Sequence, residues 1–197
     1  MKDKRRIVSN ILLITGLLLL LGAGGLYFYN LSESNDYEQE AVKLITRVKS
    51  EIPLVENREK DTPIIQSTLE TKLIEGDNYD GYLTIPAINL EMAVYDTWND
   101  SYLRKSICRY YGSPYTHDLI IAGHNYKTGF GKLRELKPGD EVFFTDMGGN
   151  TIKYEVKQTE VIDGTDINGM MSGGWDLSLY TCTYGGEARF TVRCSQN

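Results

Sequence analysis

The chain has 197 residues, enough for one globular domain plus an appendage, and carries 27 acidic against 21 basic side chains, a net charge of −6. That balance turns more acidic beyond the basic first six residues and argues against a nucleic-acid partner. Three cysteines without a Cys-x-x-Cys pair, and only two histidines, argue against a zinc site. An odd thiol count also leaves at least one cysteine unpaired in an oxidising compartment.

Met1 to Arg6 is basic, and Ile7 to Tyr29 carries no charge. A helix of that length, at ~1.5 Å per residue, crosses a hydrocarbon core of ~30 Å. Tyr27 and Tyr29 suit the aromatic belt at its far end, and the Lys/Arg cluster favours the cytoplasm. The expectation is a cytoplasmic tail at 1–6, a transmembrane signal anchor at 7–29 and the remainder outside. A cleaved signal peptide is the alternative, with Gly22-Ala23-Gly24-Gly25 as the cleavage region. Leu31 to Asp36 reads as a polar exit from the membrane. Tyr37 to Glu51 reads as an amphipathic helix whose stripe of Ala41, Leu44, Ile45, Val48 and Ile52 packs on its own domain. Pro53 ends it, and Glu56 to Thr71 reads as a linker. Residues 30–76 thus form a membrane-proximal segment, and 77–197 a folded domain.

From Tyr79 onward the pattern changes to short strands divided by turn residues. Tyr82 to Ile85 and Ile88 to Tyr95 flank Pro86-Ala87. Asp118 to Ala122 is continuously apolar and predicts a strand buried on both faces. Glu141 to Thr145, Thr151 to Lys157, Glu160 to Asp163, Asp176 to Cys182 and Ala188 to Cys194 complete a set of eight. Short helical turns are predicted at Asp100 to Ser106, Phe130 to Leu136 and Asp166 to Met171. The reading is a mainly β fold: a compact eight-stranded antiparallel or mixed barrel with short helices.

The last two strands allow a register prediction. Ser178, Tyr180 and Cys182 share one face of the first, and Arg189, Thr191 and Arg193 share one face of the second. The apolar faces coincide only if Cys182 stands opposite Arg189, Tyr180 opposite Thr191 and Ser178 opposite Arg193. Opposed residues have Cβ atoms about 5 Å apart, so the Arg189 guanidinium can lean over the thiol. Arg193 is the weaker candidate. Cys194 falls on the core face and, like Cys108, reads as a buried inert thiol, with a disulfide between the two as the alternative; His117 reads as a solvated loop side chain. His124 closes the apolar strand Leu119 to Gly123, with Asn125 beside it as an ordinary turn residue. A Cys, a His and an Arg at strand ends are the parts of covalent acyl transfer: nucleophile, proton partner and oxyanion clamp.

Four blocks carry a family resemblance. They are Gly81-Tyr82-Leu83-Thr84-Ile85-Pro86-Ala87-Ile88-Asn89-Leu90, Ile121-Ala122-Gly123-His124-Asn125, Ser178-Leu179-Tyr180-Thr181-Cys182 and Glu187-Ala188-Arg189-Phe190-Thr191-Val192-Arg193. In that order, over roughly Tyr79 to Cys194 and behind an N-terminal anchor, the chain resembles the sortases, the membrane-anchored cysteine transpeptidases of Gram-positive surfaces. Ser178 stands where the family's Cys block opens with Thr, which keeps the hydroxyl. Papain-like enzymes place the nucleophile before the His, so the order here argues against them.

The resemblance implies a sortase-like barrel in which His124, Cys182 and Arg189 are catalytic and Thr181 supports the cysteine. It implies cleavage of a C-terminal Leu-Pro-x-Thr-Gly-like sorting motif between Thr and Gly, and transfer of the surface protein to a peptidoglycan-precursor amine such as lipid II. It implies location at the plasma membrane, and no cofactor. The short segment Thr159 to Asp176 lacks room for a long inserted helix, and no Asp-Pro-aromatic lid is present, which favours a protein-anchoring rather than a pilin-polymerising type. Two alternatives stay open: a non-catalytic anchored barrel that binds a cell-wall partner, and a hydrolase using the same three side chains.

Overall fold

The computed structural model describes residues 2–53 and 68–196, with residues 2–5 as backbone only. Helix α1 spans Lys2–Glu51, and contacts divide the chain into the units Met1–Asp36 and Tyr37–Asn197. In the first unit the large apolar side chains from Ile7 to Tyr29 are exposed, and the helix is long and apolar enough to cross a membrane. The predicted polar exit Leu31 to Asp36 is helical rather than irregular. Its Ser, Glu and Asn residues cost only a few tenths of a kcal/mol each in a helix, and nothing there breaks the hydrogen-bond ladder. The predicted linker Glu56 to Thr71 lies mostly outside the described residues.

The second unit holds the strands β1 (Lys72–Ile74), β2 (Asp77–Ile85), β3 (Leu90–Tyr95), β4 (Ile107–Tyr111) and β5 (Leu119–Gly123). After them come β6 (Glu141–Asp146), β7 (Thr151–Asp163), β8 (Leu177–Cys182) and β9 (Ala188–Gln196). Short helices α2 (Asp100–Leu103) and α3 (Ile167–Met171) and the 3-10 helices Pro86–Ile88 and Phe130–Glu135 fill the connections. The strand order β2-β3-β4-β5-β8-β9-β7-β6 returns to β2 through a β2–β6 pairing, so eight strands close a barrel. β1 adds to β2 as a ninth strand outside the ring. The β3–β4 and β5–β8 pairs are parallel and the others antiparallel, which makes the barrel mixed.

The eight-stranded barrel is as predicted, but two errors cancel in its count. Thr151 to Lys157 and Glu160 to Asp163 are one strand, β7, interrupted by a bulge between Val156 and Gln158. The polar run Gln158-Thr159-Glu160 that suggested a turn lies along an exposed stretch of paired strand. The barrel strand missed is β4, which pairs in parallel with β3 at only two positions, Val94↔Ile107 and Tyr95↔Cys108; outside the ring, β1 lies in the stretch 30–76 that was read as helix and linker. Its sequence Ile-Cys-Arg-Tyr-Tyr shows no clean alternation, because its far half is exposed while Arg109 reaches in to the buried Asp80 carboxylate at 2.6 Å.

Side chains of alternate residues fill the barrel: Leu83, Ile85, Leu119, Ile121, Phe144, Leu177, Leu179, Val192 and Cys194 are all buried there. α1 contributes its predicted stripe from outside, with Ala41, Leu44, Ile45 and Val48 each under 9 % exposed. Leu44 and Val48 pack with Tyr79, Ala93, Tyr95 and Cys108, while Tyr37 and Ala41 join the barrel's own core.

Candidate active site

β5 and β8 run parallel, with Leu119 aligned to Leu177 and Gly123 to Thr181. His124 and Cys182 are therefore the next residues at the same end of two adjacent strands, which lie about 4.8 Å apart. Leu119, Ile121, Leu177 and Leu179 point into the barrel, so the alternate residues Ile120, Ala122, Ser178 and Tyr180 point out. Cys182 and His124 continue that outer face. Both are part-buried and line a cleft of about 320 Å³ together with Asn125, Tyr126, Thr183, Tyr184, Gly185 and Gly186.

Two local features hold this strand end open. A Cβ at Gly123 would lie 2.7 Å from the Phe130 ring, so only glycine lets that fully buried ring pack directly below His124. One residue on, the Asn125 amide donates to the Cys182 carbonyl at 3.2 Å and ties the histidine loop to the cysteine strand. Sequence reading treated Asn125 as an ordinary turn residue; this bond spans 57 positions, and no local pattern announces it. Tyr126 packs edge-to-face on His124, with ring centroids 5.4 Å apart, and was likewise missed.

The β8–β9 register is the one the apolar pattern predicts: Cys182↔Arg189, Tyr180↔Thr191 and Ser178↔Arg193. The Arg189 head group, however, is turned onto the hairpin. Its Nη1 donates to the Gly186 carbonyl at 2.9 Å and to its own neighbour's, Ala188, at 3.3 Å. It also lies against Gly164, where an added Cβ would come within 3.2 Å of Nη1. Arg189 thus stands opposite the thiol in register but turns its Nη1 to the Gly186 and Ala188 carbonyls and does not line the cleft, where the expectation was a guanidinium over the sulfur. Thr181 is fully buried on the barrel side, its hydroxyl without a hydrogen-bond partner among the described residues.

Arg193 is only 1 % exposed and makes four hydrogen bonds. Its donors reach Glu160 Oε1 at 2.6 Å, Ser178 Oγ at 2.8 Å and the carbonyls of Met170 at 2.8 Å and Gly169 at 2.7 Å. It is a structural clamp on α3. His117 is exposed, in a left-handed backbone conformation, with Nδ1 2.8 Å from Asp176 Oδ1. It lies near the Asp176 end of the β5 and β8 strands, remote from the cleft.

All three cysteines are free thiols. Burial pushes Cys108 and Cys194 up to about 12, so both stay protonated at neutral pH and neither reaches solvent. Cys182 is the cysteine that borders the cleft. Among the described residues, no group of three or more His, Cys, Asp or Glu side chains is placed to hold a metal ion.

Comparison with known proteins bears on the family and the fold. The sortase domain family model matches residues 83–197, more than half of the chain. Among solved structures, sortase C-1 from Actinomyces oris is 26 % identical over 60 % of this chain and 73 % of that one, with a TM-score of 0.53. Sortase C1 from Streptococcus suis is 26 % identical over 59 % of this chain and 72 % of that one, with a TM-score of 0.52. Sortase A from Listeria monocytogenes shares the fold at 22 % identity, covering 59 % of this chain and 86 % of that one with a TM-score of 0.53. No curated protein gives a significant match. With its closed mixed barrel and the family match over that barrel, the chain belongs to the sortase family of cysteine transpeptidases.

Proposed function

We propose that this protein is a membrane-anchored sortase that cleaves a C-terminal Leu-Pro-x-Thr-Gly-like motif between Thr and Gly and joins the upstream protein to a cell-wall amine of the lipid II type. Lys2 to Arg6 stays in the cytoplasm, the apolar part of α1 spans the plasma membrane, and the barrel works outside. The observation that carries the reading is that His124 and Cys182 end adjacent parallel strands on one face and border one cleft, while the other two thiols are sealed in cores.

The chemistry follows from those positions. The Cys182 thiol passes its proton to His124 as the sulfur attacks the Thr carbonyl, and the carbonyl oxygen takes on the negative charge of a tetrahedral intermediate. His124 gives a proton to the departing Gly nitrogen as the C–N bond breaks, leaving a thioester on Cys182. An incoming amine then attacks the thioester, His124 takes a proton back, and an amide forms as the C–S bond breaks. Arg189 serves the oxyanion or holds the substrate backbone once its guanidinium leaves the Gly186 carbonyl. Thr181 keeps the cysteine strand seated against the barrel.

The test is mass spectrometry of a sorting-motif peptide incubated with the full-length protein in detergent, with and without an oligoglycine or diaminopimelate-type amine. The reading expects a Thr–amine adduct that disappears in Cys182→Ala. Cleavage without incorporation of any amine identifies a hydrolase, and absence of cleavage together with unselective thiol labelling identifies a binding module.

A further inference from the structure

The helix that follows the apolar segment reaches the catalytic cleft through a chain of aromatic rings. Tyr37, on α1, is 3 % exposed, and its ring lies 4.4 Å from that of Tyr126 at 42°. Tyr126 in turn meets the His124 ring edge-to-face, at 5.4 Å and 74°. The place for Tyr37 is made by Gly129: a Cβ there would stand 2.9 Å from the Tyr37 ring. From the other side, the Tyr37 hydroxyl touches Met92 Sδ at 3.9 Å. Tyr126 has little freedom of its own, because its carbonyl accepts from both Gly129 and Gly131, at 3.0 and 3.1 Å, and so caps the following 3-10 helix.

His124 needs such support. It follows the last residue of β5, so strand pairing restrains its backbone on one side only. A proton partner must hold its ring nitrogen within hydrogen-bond reach of the reacting atoms, and a shift of an ångström is costly. A ring packed on the imidazole face restricts its rotation, and that ring is braced by Tyr37 in turn. We propose that Tyr126 and, through it, Tyr37 are positioning residues for His124, so that the membrane-proximal helix is part of the catalytic apparatus. The proposal rests on the transpeptidase reading for its kinetic consequence but not for its structural one.

Full-length protein in detergent supplies the test, with Tyr37→Leu, Tyr37→Phe, Tyr126→Leu and the double leucine variant. Leucine keeps apolar bulk in the core and removes the ring; phenylalanine keeps the ring and gives up only the sulfur contact. On a sorting-motif peptide, Tyr37→Leu and Tyr126→Leu each lower kcat about tenfold with KM unchanged, the double variant is no slower than Tyr126→Leu, and Tyr37→Phe matches wild type. Because the chain has only two histidines, ring NMR gives an independent readout with His117 as internal control. Tyr37→Leu and Tyr126→Leu shift the His124 ring signals and leave those of His117 in place. Unmoved His124 signals in both leucine variants, or a Tyr37→Phe variant as slow as Tyr37→Leu, overturn the proposal. If wild type cleaves no peptide while the His124 signals still move, the transpeptidase reading fails and the positioning stands.

Discussion

The β8–β9 hairpin has two ends of similar composition and opposite character. At one end Ser178 faces Arg193; at the other, four residues along the same face of β9, Cys182 faces Arg189. Arg193 is sealed beneath α3, and its head group meets four acceptors. Arg189 is half-buried, its Nη1 held by the carbonyls of Gly186 and Ala188, and no helix among the described residues covers it. The same residue type on the same strand is thus a structural clamp where an element closes over it, and a half-buried side chain on its own hairpin where none does. Burial and the number of acceptors met both differ between the two arginines.

Substitutions at the two ends sharpen that contrast. Cys182→Ala has the largest expected effect, abolishing peptide cleavage to below ~10⁻³ of wild type while leaving the melting temperature unchanged, since the thiol borders solvent. Arg189→Ala comes next, with a loss of ~10²–10³ in kcat, the value of one oxyanion donor, and little change in stability. Arg193→Ala inverts the pattern. It strands Ser178 and two carbonyls and costs ~2–4 kcal/mol of folding free energy in a denaturant titration. An Arg193→Ala protein as stable as wild type, or an Arg189→Ala protein as active, breaks the comparison.

Smaller effects test the cores around this hairpin. Cys108→Ala and Cys194→Ala keep turnover within about twofold and cost ~1 kcal/mol each for the lost volume. A thiol-reactive probe on wild type labels Cys182 alone, because the buried pair stays protonated and out of reach. A second sealed polar site gives a pH dependence. Burial, the dominant influence, pushes the Asp80 carboxyl up to about 6 against the opposing pull of Arg109, whereas the unfolded carboxyl titrates at about 3.9. The folded state therefore holds the proton more tightly. The stability that Asp80 contributes is full below about pH 4 and is lost as the pH rises through 6. Asp80→Asn should remove that part of the pH slope, measured as the difference in melting temperature between variant and wild type from pH 4 to 7.

Much of the hairpin was legible because its information is local. Strand alternation over Leu177–Cys182 and Ala188–Cys194 leaves one register that keeps both apolar faces inward, and it places Cys182 opposite Arg189 and Cys194 in the core. The α1 stripe was legible for the same reason, since helical spacing by itself marks the buried side. β4 was not, because a strand whose two faces change character midway has no period to detect. The unbroken β7 was missed because a bulge with polar neighbours resembles a turn. The contacts of Asn125, Tyr126, Gly129 and Tyr37 were not legible: what matters about each is a partner between 2 and 92 positions away that only the folded barrel brings within reach.

The order and spacing of residues alone determined an apolar N-terminal helix, a barrel of short strands, and which cysteine and histidine end exposed strand faces, since periodicity and hydrophobicity act over a few residues. Only tertiary structure decided that β5 and β8 lie side by side, that Arg193 is locked while Arg189 rests on a turn, and that Tyr37 meets Tyr126, the ring packed against His124. Those outcomes depend on closing the sheet into a ring, and ring closure is set by the packing of the whole core rather than by any one segment of it.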